Sequence, residues 1–276
     1  MNGVFALKIT KYFEVAKINY FNSLAYVINA LSRSGVVVIR IWIFAQLYKI
    51  TYAASGAEEI GGLTVAMVVW SLMMTQSFQS SGRPPVSEII DEEVKSGALA
   101  YSINRPYSYI LFHLSGYLGR GTSSLFINLL IGSAASLILV GPVKITLFGI
   151  LFGAVLMIFG RLLDFLISFI IGLAAFWIED TTAIAWIYAK GQMIFGGIIL
   201  PIALFPDYLQ KIAEFLPFSQ LFYSAARLIV NFDMKLFQKF ILIQFFWIAF
   251  FSALAYFIFK KGLKRYESGN LINIKI

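Results

Sequence analysis

Long apolar runs constrain this chain more than any other feature. Six stretches approach or exceed the roughly 20 mostly apolar residues that a helix needs to cross hydrocarbon. They are about 24–50, 61–81, 107–140, 145–177, 183–204 and 237–259. Each is expected to be helical, because lipid offers no partner to an unpaired backbone N–H or carbonyl. The third looks interrupted near Gly119-Arg120-Gly121, and the fourth is long enough to cross with tilt. Charged residues make up 13% of the chain, against about 25% in a soluble domain. The 276 residues therefore read as one all-α membrane domain, 1–276, with no room for a second globular domain.

The formal net charge is +8. In a soluble protein that would suggest nucleic acid as a partner. Here the cations gather near span ends, so orientation explains them better and no nucleic-acid partner is expected. With the N-terminus inside, the cytoplasmic segments hold twelve: Lys8, Lys11, Lys17, Arg83, Lys95, Arg105, Lys190, Lys260, Lys261, Lys264, Arg265 and Lys275. The outer segments hold six: Lys49, Lys144, Lys211, Arg227, Lys235 and Lys239. That balance predicts six spans with both termini in the cytoplasm. The start of the chain lacks the uninterrupted apolar core and cleavage site of a signal peptide. Lysines alternate there with Phe5, Leu7, Tyr12, Phe13 and Val15. Residues 1–22 read as an amphipathic helix on the cytoplasmic surface, with a free cytosolic tail as the alternative.

Two connections exceed simple turns. The cytoplasmic segment 82–106 places Asp91-Glu92-Glu93 and Lys95 between apolar stretches and closes on Arg105-Pro106. The outer segment 205–236 offers Asp207 as the cap of a short helix to about Phe215. Pro217 then breaks that helix, and a second short amphipathic helix follows to about Val230. Two apolar half-helices outside the membrane are expected to dip back into the outer leaflet.

Enzyme chemistry is largely excluded. There is no GxxxxGK[ST] to cradle nucleotide phosphates and no HExxH, GxSxG or DxDxDG. Cysteine is absent, which removes thiol nucleophiles, disulfides and thiolate metal sites. Adjacent acids on a helix point about 100° apart, so Asp91-Glu92-Glu93 reads as a solvated face rather than a metal site. His113 reads as a polar residue near the start of the third span. The intramembrane charges carry more information, since such groups are costly and often functional. Arg33 and Arg40 share one face of the first span, Arg120 stands between glycines in the third, and Arg161 and Asp164 are spaced to pair in the fourth. They line a substrate path or a subunit interface, or they are a local ion pair and arginines that snorkel to the headgroups.

The order of these elements resembles a type-2 ABC exporter permease. Two patterns carry the likeness, which spans roughly residues 5–265. Glu93-x3-Gly97-x-Leu99 followed by Arg105-Pro106 is similar to the family's segment between spans two and three. Gly196-Gly197, Pro201, Phe205-Pro206, Leu209 and Leu216-Pro217-Phe218 resemble its outer segment. The resemblance implies two permeases face to face, the same or related, each docked on a cytosolic ABC ATPase that holds ATP and Mg. This chain itself would have no catalytic residue, metal or cofactor. Glu92, Glu93, Lys95, Gly97, Arg105 and Pro106 would couple to the ATPase. Pro201, Phe205, Pro206 and Pro217 would belong to an outer gate. Arg40, Arg120, Arg161 and Asp164 are the candidate intramembrane charges. An ion- or proton-driven carrier and a structural subunit of a membrane complex stay open as rivals. The carrier would need unpaired acids at mid-membrane depth; Asp164 is the one candidate, and Arg161 stands close by as a partner.

Overall fold

A computed structural model describes residues 2–25, 27–81 and 84–267. Arg83 and Lys275, and the side chains of Lys8 and Arg33, lie outside the described residues. Within them the chain is all-helical, with no strand. The long helices are α1 (Asn2–Ala25), α2 (Val27–Ser55), α6 (Tyr109–Val140), α7 (Leu147–Leu173) and α12 (Met234–Glu267). Between them lie α3 (Val65–Ser80), α4 (Val86–Lys95), α5 (Ala98–Ile103), α8 (Thr182–Phe195), α9 (Asp207–Phe215), α10 (Pro217–Leu221) and α11 (Tyr223–Val230).

Four helices are long and apolar enough to cross a membrane: Ser34–Ser55 of α2, α6, α7 with the 3-10 turn that extends it to Phe176, and α12. The other two apolar stretches give shorter helices. α3 has 16 residues and starts at Thr64, whose hydroxyl accepts a hydrogen bond from the Met67 N–H. It spans about 24 Å at the usual rise of about 1.5 Å per residue. α8 has 14 residues and does not run to 204. Gly196-Gly197 ends it, with Gly197 at φ 67°, and Pro201 follows before the helix can resume.

The third stretch is not interrupted. α6 runs unbroken for 32 residues through Gly119-Arg120-Gly121. Those glycines thin the helix for its neighbours instead of ending it. A side chain at Gly119 would strike the Ala16 backbone of α1, and one at Gly121 would strike the Arg161 guanidinium.

α1 runs parallel to the first half of α6. Lys11 Nζ donates to the Pro106 carbonyl at 2.9 Å, Tyr12 Oη accepts from the Ser108 N–H at 2.8 Å, and Ser23 meets Ser123. Its inward side is therefore polar or small, while Phe13, Ile18 and Phe21 are exposed. Over these residues the polarity is the reverse of a helix folded onto a water-soluble core.

The core sits between α3, α7 and the α10–α11 pair. Ala225, Ala226 and Leu228 are fully buried with Leu156, Leu163 and Met73. Gly160 of α7 touches the Leu221 carbonyl, so the turn between α10 and α11 reaches 13 residues along α7 from Leu147, about 20 Å. Gln244 of α12 closes that turn by donating to the Gln220 and Leu156 carbonyls at 2.8 and 3.0 Å.

Candidate functional site

The polar segment between α3 and α6 folds into α4 and α5. Val86, Ile90 and Val94 form one face of α4 and are buried on the far half of α7, where Gly172 lets Ile90 approach. The period of four residues along a ten-residue helix is what turns that face inward. The three acids then diverge, as adjacent helical positions must. Asp91 pairs with Lys95 at 2.6 Å and accepts from Thr181 Oγ1 at 2.8 Å, tying α4 to the residue before α8. Glu92 is exposed. Glu93 turns inward, taking a hydrogen bond from Tyr109 Oη at 2.7 Å, with His113 Nε2 at 3.3 Å. Burial works to raise the Glu93 pKa, but the His113 imidazole and the Tyr109 hydroxyl outweigh it and hold the carboxyl below its usual range. No cluster of potential metal ligands forms among the described residues.

Gly97 joins α4 to α5 at φ 76°, a conformation that an L side chain rarely adopts. Its carbonyl accepts from Tyr266 Oη of α12 at 3.3 Å. Arg105 lies over the Tyr101 ring at 4.3 Å and donates to Tyr107 Oη at 2.7 Å. Pro106 sits just outside α6, which starts at Tyr109 with Ser108 as its cap.

The intramembrane charges fall into two groups. Arg161 and Asp164 do not form the expected ion pair. Three residues apart on α7, they bond to other helices, sharing only Tyr117, whose carbonyl and ring meet Arg161 and whose hydroxyl meets Asp164. Arg161 donates to Ser81 Oγ and to the Tyr117 carbonyl, with its guanidinium 4.7 Å from the Tyr117 ring centroid. Asp164 accepts from Tyr117 Oη at 2.6 Å, Tyr188 Oη at 2.7 Å and Gln192 Nε2 at 2.9 Å. Both are almost fully buried. Arg120 donates to Asn19 Oδ1 of α1 at 3.1 Å. Arg40, by contrast, is exposed on α2 and has no ion pair or hydrogen bond among the described residues.

Residues 196–217 lie against the α2–α3 connection. Pro201 and Pro217 are buried, Phe205 is half-buried and Pro206 is exposed. Tyr48 Oη donates to the Ile199 carbonyl at 3.2 Å, and Tyr223 Oη accepts from the Ala203 N–H at 3.0 Å. Burial raises the Tyr223 pKa to about 12. Pro206 occupies the position before α9, so Asp207 stands in the first helical turn and does not cap it with its side chain. Pro217 opens α10 where a missing N–H costs nothing.

An apolar helical frame with a polar segment bonded into its base is the setting for one further observation. Residues 23–269 match the family described as ABC-2 family transporter protein. The chain belongs to that family. No curated protein matches it. Membership covers nearly the whole chain and makes this ABC-2 protein a multi-pass membrane component of an ABC transporter.

Several residues of this ABC-2 protein's polar network escaped the sequence reading. Tyr109, Tyr188, Thr181 and Gln192 sit in ordinary helical or loop positions, and their role appears only when distant helices meet. Lys190, counted among the cytoplasmic cations, lies inside α8, well past Thr182. Its place within the 183–204 stretch was the available signal.

Proposed function

We propose that this ABC-2 family protein is the permease subunit of an ATP-driven exporter. In this reading α2, α3, α6, α7, α8 and α12 are its six spans in the cytoplasmic membrane, and α9–α11 form the outer half-helices. Both termini face the cytoplasm. Without Lys190 the positive charge balance is eleven to six, which keeps that orientation. Two permeases form the path, and separate cytosolic ATPases hold ATP and Mg. Pro201, Phe205, Pro206 and Pro217 belong to the gate on the far side.

One observation carries the reading. α4 is bonded at once to α6 through Glu93, to the start of α8 through Asp91, and to α7 through Ile90. A push on α4 is thereby delivered to three helices. Glu92, exposed on the opposite side, and Lys95 beside it are the groups placed to meet the ATPase. Gly97 and the Arg105-Pro106 pair set the path of the chain into α6. The bonding of Asp164 also weighs against an ion-driven carrier, because three donors already occupy the acid that would have to exchange a proton.

Glu92→Lys in the assembled transporter tests this. The variant should keep its thermal stability and lose most transport-coupled ATP hydrolysis. Undiminished hydrolysis and transport in Glu92→Lys and Lys95→Glu together would overturn the coupling role.

A further inference from the structure

Arg40 and Lys190 come from helices far apart in sequence, yet they line one open cavity of about 410 Å³. Neither has an acidic partner among the described residues; Lys190 Nζ lies 5.1 Å from the Trp186 ring centroid. Lys49 hydrogen-bonds to the Leu139 carbonyl near the end of α6. Arg40 lies inside Ser34–Ser55, the part of α2 long and apolar enough to cross a membrane, about 9 Å along the helix from Ser34. An unpaired guanidinium at that depth is costly.

A second observation is independent of the charges. Gln76 of α3 lines the same cavity and is 1% exposed. Neither its amide nitrogen nor its amide oxygen has a partner. Buried polar groups are ordinarily bonded, and the described residues supply this amide with no partner. The remaining walls include Phe44, Met193 and Ile198, which suit an acyl or other apolar chain.

The neighbouring cavity shows that the charge is local. It shares Gln79 and Trp186 with the first and is lined by Asp164 and Glu88. Asp164 is engaged by its three donors and Glu88 is exposed on α4. Neither forms an ion pair with Arg40 or Lys190.

We infer that the cavity between α2, α3 and α8 binds an amphiphile with an anionic head, held by Arg40, Lys190 and the Gln76 amide, with its apolar chain on Phe44 and Met193. This names the cargo class of the proposed permease and rests on that reading only for the word cargo. The binding itself is independent of any ATPase.

The test uses the purified full-length chain. Phosphatidic acid and phosphatidylcholine with identical brominated acyl chains are titrated, and quenching of Trp186 is followed with Trp186→Phe as the blank. Inorganic phosphate forms a third arm. Phosphatidic acid should bind roughly tenfold or more tighter than phosphatidylcholine, the worth of a charge-assisted contact. Inorganic phosphate should bind far more weakly than either lipid. Arg40→Gln with Lys190→Gln should erase the preference, and Arg40→Lys with Lys190→Arg should keep it in a chain of equal stability. Equal binding of the two lipids, a preference that survives the double glutamine variant, or inorganic phosphate binding as tightly as the lipid would each overturn the proposal. Because no ATPase is present, failure here leaves the coupling experiment readable, and the converse holds.

Discussion

Asp164 and Arg40 are both ionisable groups on helices fit to cross a membrane, and the structure treats them in opposite ways. Asp164 also lines a cavity but is bonded by Tyr117, Tyr188 and Gln192, and Arg161 nearby has its own acceptors. Arg40 faces an open cavity with Lys190 and has no partner among the described residues. A bonded charge fixes how helices meet, because α6, α7 and α8 converge on it. An open charge adds nothing to that convergence and persists for what it can hold. Depth in a span does not separate the two; the presence of local donors and acceptors does.

The sharpest way to break this contrast is at Asp164. Asp164→Ala leaves three buried donors without an acceptor and should cost roughly 3 kcal/mol or more, read as a large fall in the thermal midpoint in detergent. A small change would mean that the site is wet and not structural. Next is Gly160→Ala, whose added methyl meets the Leu221 carbonyl. Overpacking there should cost about 2 kcal/mol, measurable in the same melt. A neutral result would show that the α10–α11 turn yields and is not part of a rigid core.

Glu93→Gln should cost about 1 kcal/mol by weakening the contacts to Tyr109 and His113. The effect carries a pH signature. The folded pKa of Glu93 lies below its ordinary 4.5, so its contribution is complete above pH 4.5 and is lost as pH falls through the folded value. Melts of the natural chain and the variant should converge in that acidic window, and parallel curves would remove Glu93 from the account. Smallest of all, Arg40→Gln and Lys190→Gln should each change stability by no more than about 0.5 kcal/mol. A large destabilisation at either position would erase the distinction between bonded and unbonded charges.

The pattern that could be read in advance was the local one. Apolar length gave the long helices, Pro217 gave a break, and the order of the polar segments gave the family, but the stretch read as continuous over 183–204 ends at Gly196-Gly197. Helix–helix matching could not be read. Spacing suggested that Arg161 would pair with Asp164, but i, i+3 proximity makes a pair available without making it the best one. Serine, tyrosine and glutamine from other helices offered directed bonds. Gly119 and Gly121 looked like a break because glycine weakens an isolated helix. In a packed bundle the same residues admit Ala16 and Arg161. Glu93 looked like its neighbours Asp91 and Glu92 because a sequence does not show which way α4 is rotated.

The parallel contact of α1 with α6 has a consequence for synthesis. Lys11, Asn19 and Ser23 find their partners 95, 101 and 100 residues further along the chain. At roughly 5–20 residues per second, their bonding groups wait about 5–20 seconds for α6 to be made. During that time Asn19 and Ser23 can bond the Val15 and Tyr20 carbonyls of α1 itself, while Asn19 Oδ1 and the Lys11 ammonium have only water and headgroups until α6 arrives. A nascent chain halted short of residue 106 should leave position 19 open to a water-soluble label, and the finished chain should protect it.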